Sequence, residues 1–116
     1  LATAIADARR LYGVDSAFET FAVAHLARAQ IESGELDLAF ASIERSLELT
    51  AQQSDAEARN HAVGTGIRAY IDLLRGNAGA ALAGFDRALP VYRDRIGDVH
   101  DATLAIRTSR ALALSR

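Results

Sequence analysis

The chain contains no cysteine, methionine, tryptophan or lysine, and it has a single proline. Without cysteine, neither a disulfide framework nor a thiolate metal site can form. The 13 basic residues are all arginines scattered along the chain, which argues against nucleic-acid binding, because that function needs clustered positive charge. No apolar run approaches the roughly 18 residues of a membrane span, and nothing resembles a signal peptide. We therefore expect a cytoplasmic protein that binds neither nucleic acid nor membrane.

What the chain does contain favours helices. Half of its 116 residues are apolar, and alanine dominates that half. Alanine loses least on entering a helix, and its small side chain lets helices pack closely. The length suits one domain, so we expect an all-α domain over residues 1–116. Because the sequence opens at Leu1 inside a helical pattern and has no methionine, we interpret it as part of a longer protein.

An internal repeat organises the sequence, and repeats of this length are typical of stacked helical units. Residues of the same size or polarity class recur 42 positions apart. The matching pairs are Ala27 and Ala69, Gly34 and Gly76, Ala39 and Ala81, Ile43 and Phe85, Ser46 and Ala88, Leu47 and Leu89, and Leu49 and Val91. Two similar helical segments are therefore expected.

Gly34 and Gly76 each lie between two helical patterns, where glycine closes a helix at low cost in the left-handed conformation. They predict tight turns inside two helical hairpins. Helix starts are indicated by capping motifs at 16–19, 54–57 and, in acidic form, 98–101. The resulting elements are a helix tail over 1–12, hairpins over 16–53 and 55–95, and a last helix over 98–116. No strand is expected.

Pro90 conflicts with the helix expected over 78–95, because a proline removes one hydrogen bond and clashes with the preceding turn. Two interpretations stay open at this point. The helix is kinked late in its course, or it stops at Leu89 and a new helix starts.

At these positions the sequence resembles the tetratricopeptide repeat family, and in particular its longer, kinesin-light-chain-like repeats of 42 residues. The repeated small residues, the turn glycines, and the segment 88–100 with its proline and aromatic carry the resemblance. The resemblance implies antiparallel hairpins stacked as an α-α superhelix of about six helices. The family's usual aromatics are absent, since Val23, Gln30, Thr65 and Asp72 occupy those positions.

The resemblance also implies a concave groove lined by the first helix of each hairpin. Candidate peptide-binding residues on that basis are Phe21, Ala24, Arg28, Ile31, Glu32, Gly66, Tyr70 and Leu73, with Val63 and Leu74 beside them. A competing interpretation places Tyr70, Leu73 and Leu74 in the core and pairs Arg28 with Glu32. The family's lysine–asparagine clamp for a terminal carboxylate is not expected.

The three histidines and the glycines show no pattern that points to other chemistry. His25, His61 and His100 do not form a ligand pattern for a metal, and no nucleotide or nucleophile fingerprint occurs. The G-x-G at residues 64–66 is interpreted as close packing against a neighbouring helix. We therefore expect no enzyme activity, no metal and no cofactor.

The function expected from this pattern is a protein-interaction scaffold that binds a peptide or protein partner. The alternative is a ligand- or peptide-sensing regulatory domain attached to a kinase, an ATPase or a transcriptional regulator. A homodimer formed through exposed terminal helices is a further possibility.

Overall fold

The computed structural model describes residues 17–51 and 58–116, and within these ranges the side chains of residues 22–51 and 60–116. The described residues form five helices: α1 (Ala17–Glu32), α2 (Leu36–Ala51), α3 (Ala58–Leu74), α4 (Ala78–Arg95) and α5 (Asp101–Leu114). None of these residues is in a strand. The all-α prediction is therefore confirmed for this part of the chain. The expected tail helix over 1–12 and the capping motif at 54–57 lie outside it, as does Ser16.

The chain divides into two compact units, residues 1–53 and 54–116. In the first unit α1 packs on α2, and the turn between them is closed by backbone hydrogen bonds. Gly34 has a φ of +79°. The Glu35 N–H donates to the Gln30 carbonyl at 2.8 Å, and the Gly34 N–H donates to the Ile31 carbonyl at 3.0 Å. This is the Schellman arrangement, which satisfies the last carbonyls of α1.

The buried residues of α2 follow helical spacing, so one face of the helix is covered. Ala39 and Ile43 are fully buried, and Ser46 and Leu49 are nearly so. A polar contact also joins the two helices, because the Ser42 hydroxyl donates to the Gln30 side-chain oxygen at 2.8 Å.

The second unit contains a hairpin of α3 and α4 and the additional helix α5, which packs on both. The turn repeats the first one: Gly76 has a φ of +84°, and the Asn77 N–H donates to the Asp72 carbonyl at 2.8 Å. Phe85 is completely buried at the centre of an apolar cluster drawn from all three helices. Burying such a side chain contributes about 1.5–3 kcal/mol, so this cluster is a main source of stability for the unit.

Helix α4 runs without interruption through Pro90, which is exposed. The interpretation in which the helix stops at Leu89 is therefore wrong. The neighbours Leu89 and Tyr92 are buried, so packing of the flanking residues opposes the local penalty of a proline within a helix.

Helix α5 begins at Asp101, three residues after the acidic start predicted at Asp98. Gly97 has a φ of +123° and turns the chain. His100 is the N-cap, and its Nδ1 accepts from the Ala102 N–H at 3.1 Å. Asp98 instead pairs with Arg93, with 3.3 Å between their charged atoms. The capping prediction at Asp98 was thus wrong, because the turn at Gly97 delays the helix and brings the imidazole to the capping position.

Candidate functional site

The candidate groove residues of the first unit lie on α1. Ala24 and Ile31 are half-buried, whereas Arg28 and Glu32 are exposed. The side chain of Phe21 lies outside the described residues. Positions 24, 28 and 31 share one face of the helix because they are spaced by four and three residues. α1 thus presents a small residue, a cation and an aliphatic side chain along one line.

Arg28 and Glu32 are both described in full, yet no ion pair joins them in this structure. The sequence interpretation that pairs them therefore has no support from the geometry. Arg28 keeps its five guanidinium donors at the surface, where a carboxylate could receive two of them in parallel.

In the second unit the candidate residues of α3 separate into two groups. Tyr70 and Leu74 are exposed, at 40% and 45% of their surface, whereas Leu73 is only 3% exposed. Leu73 belongs to the core cluster, and Val63 packs against that cluster. The core interpretation thus holds for Leu73 but not for Tyr70 or Leu74, which lie one helical turn apart on the outside.

Gly66 is buried, and it is covered by two side chains from other helices. A Cβ at Gly66 would lie 2.7 Å from the Ile106 Cδ1 atom and 2.9 Å from the Tyr92 hydroxyl oxygen. The close-packing interpretation of the G-x-G fragment is therefore confirmed at Gly66. As this residue lies beneath Ile106 and Tyr92, packing accounts for it without a ligand.

The two hairpins differ at one interhelical contact that the sequence analysis did not identify. Gln30 and Ser42 of the first hairpin correspond, 42 residues later, to Asp72 and Gly84. Asp72 is only 8% exposed, and glycine offers it no hydroxyl donor. A Cβ at Gly84 would lie 2.8 Å from the Ala69 Cβ atom. The missing side chain therefore permits a close approach of α4 to α3. The signal in the sequence is the paired change itself: Gln30 with Ser42 in the first repeat becomes Asp72 with Gly84 in the second.

The side chains that the structure describes include no cluster suited to hold a metal ion. Within residues 22–51 and 60–116, no three histidine, aspartate or glutamate side chains are grouped as a metal site would require. His100 serves as a helix cap, and the His61 carbonyl accepts from the Thr65 hydroxyl at 2.9 Å. Among the described helices, none is both long and apolar enough to cross a membrane.

Comparison with models of known protein families, with curated proteins and with solved structures gives no match to this chain. The function of this chain must therefore be inferred from its own residues and their geometry.

Proposed function

We propose that this chain is a helical-repeat module of tetratricopeptide type that binds a peptide segment of another protein. Its two hairpins share a 42-residue register, which is typical of the repeats of an α-α superhelix. The support is local and repeated. Each hairpin is closed by a glycine with positive φ. Each second helix packs on the first and buries two small residues, Ala39 and Ser46 in α2 and Ala81 and Ala88 in α4. On this proposal the first helix of each hairpin, α1 in one unit and α3 in the other, carries binding residues.

The observation that carries the proposal is the exposure of Tyr70 and Leu74 on α3. Their neighbours Ala69, Ile71 and Leu73 are buried, with only 1%, 0% and 3% of their surface exposed. Packing of these residues therefore holds α3 in place. Two large side chains one turn apart on a rigid helix form a small apolar platform. A tyrosine ring offers both an apolar surface and a hydroxyl, which is a combination common at peptide-binding sites.

Arg28 adds a charge preference on α1. An exposed guanidinium without an intrahelical partner favours a carboxylate. The ligand we propose for the platform on α3 is therefore a peptide with an apolar side chain, bound in extended or helical form. On α1, Arg28 would bind an acidic side chain.

A peptide array screened with the whole chain tests this function, followed by affinity measurements on two matched variants. Leu74→Ala removes an exposed leucine from the proposed platform. Leu38→Ala removes one of similar exposure, 54% against 45%, from α2. We expect Leu74→Ala and Tyr70→Ala to weaken binding by about tenfold or more, as for the central residues of an interface. Leu38→Ala should leave the affinity unchanged.

Three results would count against the proposal: no peptide ligand in the screen, equal loss in Leu74→Ala and Leu38→Ala, or full retention in Tyr70→Ala. X-ray scattering of the complex adds a separate criterion. A scaffold keeps its radius of gyration when the peptide binds, whereas a large change would favour the sensing domain instead.

A further inference from the structure

Asp72 of α3 is the one charged residue that is buried among the side chains described in this structure. Only 8% of its surface is exposed, and no described group forms a hydrogen bond or an ion pair with its carboxylate. Arg68 and Arg75 lie one turn away in either direction, but each is engaged in a contact elsewhere. A buried carboxylate without a partner is costly, because it loses water without gaining a donor.

The first hairpin shows which group the second one lacks. Gln30 occupies the position of Asp72, and the Ser42 hydroxyl of the second helix donates to its side-chain oxygen at 2.8 Å. In the second hairpin the position of Ser42 is taken by Gly84, which has no side chain that could donate. The second hairpin therefore has the acceptor, in anionic form, without the donor.

The Asp72 carboxylate can be reached from solvent. Among the described residues, none of the side-chain oxygens that are both sealed from solvent and without a partner belongs to Asp72. Its unpartnered oxygens therefore keep a small opening to the outside, although the residue as a whole is buried.

The rim of this opening is built from small residues. Because α3 and α4 are antiparallel, the turn of α3 at Asp72 faces the turn of α4 at Ala80, next to the close contact of Gly84 with Ala69. Gly79 and Ala80 are exposed, and a Cβ at Gly79 would meet no atom within 4 Å. This end of α4 therefore has no long side chain to cover the carboxylate.

The start of α4 explains how the fold tolerates the charge. The Asn77 N–H donates to the Asp72 carbonyl at 2.8 Å, so α4 begins beside Asp72. The Asn77 side chain forms no cap hydrogen bond. The positive end of the helix dipole, equivalent to about half a charge, therefore offsets part of the cost of burying the carboxylate. A cation from outside would offset the rest.

We propose that Asp72 is the anchor of a cation-binding site that takes a guanidinium group, such as that of an arginine side chain. A guanidinium suits the site better than an ammonium, because it is more weakly hydrated and presents parallel N–H groups to a carboxylate. The ligand supplies the donor that Ser42 supplies in the first hairpin. The site is independent of the platform at Tyr70 and Leu74, since Asp72 lies about half a turn of α3 away from both.

An NMR titration of the isotopically labelled whole chain tests the site with two probes of the same length. N-acetylarginine methylamide carries the guanidinium, and N-acetylcitrulline methylamide replaces it with a neutral urea group. We expect the arginine probe to shift the amide signals of Asp72, Gly79 and Ala80 in a saturable manner, and the citrulline probe to leave them unchanged. A blocked alanine pentapeptide with a central arginine distinguishes the sources. Tighter binding than the single residue indicates an arginine of a partner protein, and equal affinity indicates a small guanidinium compound.

Variants of the whole chain locate the site. Asp72→Asn keeps the size of the side chain and removes its charge, so it should weaken binding of the arginine probe by about tenfold or more. It should unfold at the same temperature as the unaltered chain or at a higher one, because an unpartnered charge is removed from the interior. Ala80→Leu places a large side chain at the rim and should block the probe even if Asp72→Asn does not fold. Ala105→Leu, at an exposed position of α5, should bind the probe normally.

Four results would overturn the proposal. The arginine probe gives no saturable shift, the arginine and citrulline probes give equal shifts, or binding of the arginine probe survives in both Asp72→Asn and Ala80→Leu. The fourth is a lower unfolding temperature for Asp72→Asn, which would assign the carboxylate to stabilising the start of α4 instead of binding a ligand.

Discussion

The close approach of α4 to α3 at Gly84 predicts that adding a single methyl group there destabilises the second unit. In Gly84→Ala the new Cβ would lie 2.8 Å from the Ala69 Cβ atom and 3.6 Å from its Cα atom. Carbon atoms pack at about 3.5–4.0 Å, and neither of these atoms can rotate away, so the helices must separate. Overpacking of this kind costs about 1–3 kcal/mol. The gain in helix propensity from glycine to alanine, at most about 1 kcal/mol, offsets only part of it.

The matched control is Gly79→Ala in the same helix, where a new Cβ meets no atom within 4 Å. This change should be neutral or stabilising by up to about 1 kcal/mol. Urea denaturation of the whole chain measures both variants, and we expect Gly84→Ala to unfold at lower urea than Gly79→Ala. The double variant with Ala69→Gly removes the opposing methyl and should show a favourable coupling energy. Gly84→Ala as stable as Gly79→Ala, together with zero coupling to Ala69→Gly, would refute the reasoning.

Three further predictions concern stability, each measured by chemical or thermal unfolding. Thr103 is fully buried and its hydroxyl has no hydrogen-bond partner, so Thr103→Val should be neutral or stabilising. The control Thr65→Val removes a hydrogen bond to the His61 carbonyl and should destabilise the protein by about 1 kcal/mol. His100→Ala should cost about 0.5–2 kcal/mol by removing the cap of α5, and His100→Asn should restore most of that loss. Gly76→Ala forces a side chain into the left-handed conformation at φ +84° and should cost about 1–2 kcal/mol, an effect that a neutral result would contradict.

Much of the local architecture could be predicted from the sequence because its signals are local. Gly34 and Gly76 stand between helical patterns, and both adopt positive φ at the predicted turns. Pro90 shows the limit of such reasoning, since the same residue allowed both a continuous helix and a break. The packing of Leu89 and Tyr92 in the core, which depends on α3 and α5, favours continuity. The predicted start of α5 was wrong for a related reason, because the histidine reaches the capping position only through the turn at Gly97.

The candidate site was less predictable than the helices, because helical spacing gives a residue's direction but not what lies opposite it. Leu73 and Tyr70 are three residues apart on α3, yet one is 3% and the other 40% exposed. Position in a repeat motif did not distinguish them. Gly66 was assigned both to a groove and to close packing, and only the positions of Ile106 and Tyr92 showed that it is covered.

The sequence by itself determined that this chain forms helices, where the two glycine turns fall, and which segments correspond across 42 residues, because propensity, capping and periodicity act between near neighbours in the chain. The tertiary structure decided which side chains are left at the surface and how closely the helices approach. Those properties arise from contacts between residues far apart in sequence, as between Gly84 and Ala69, and no local pattern records them.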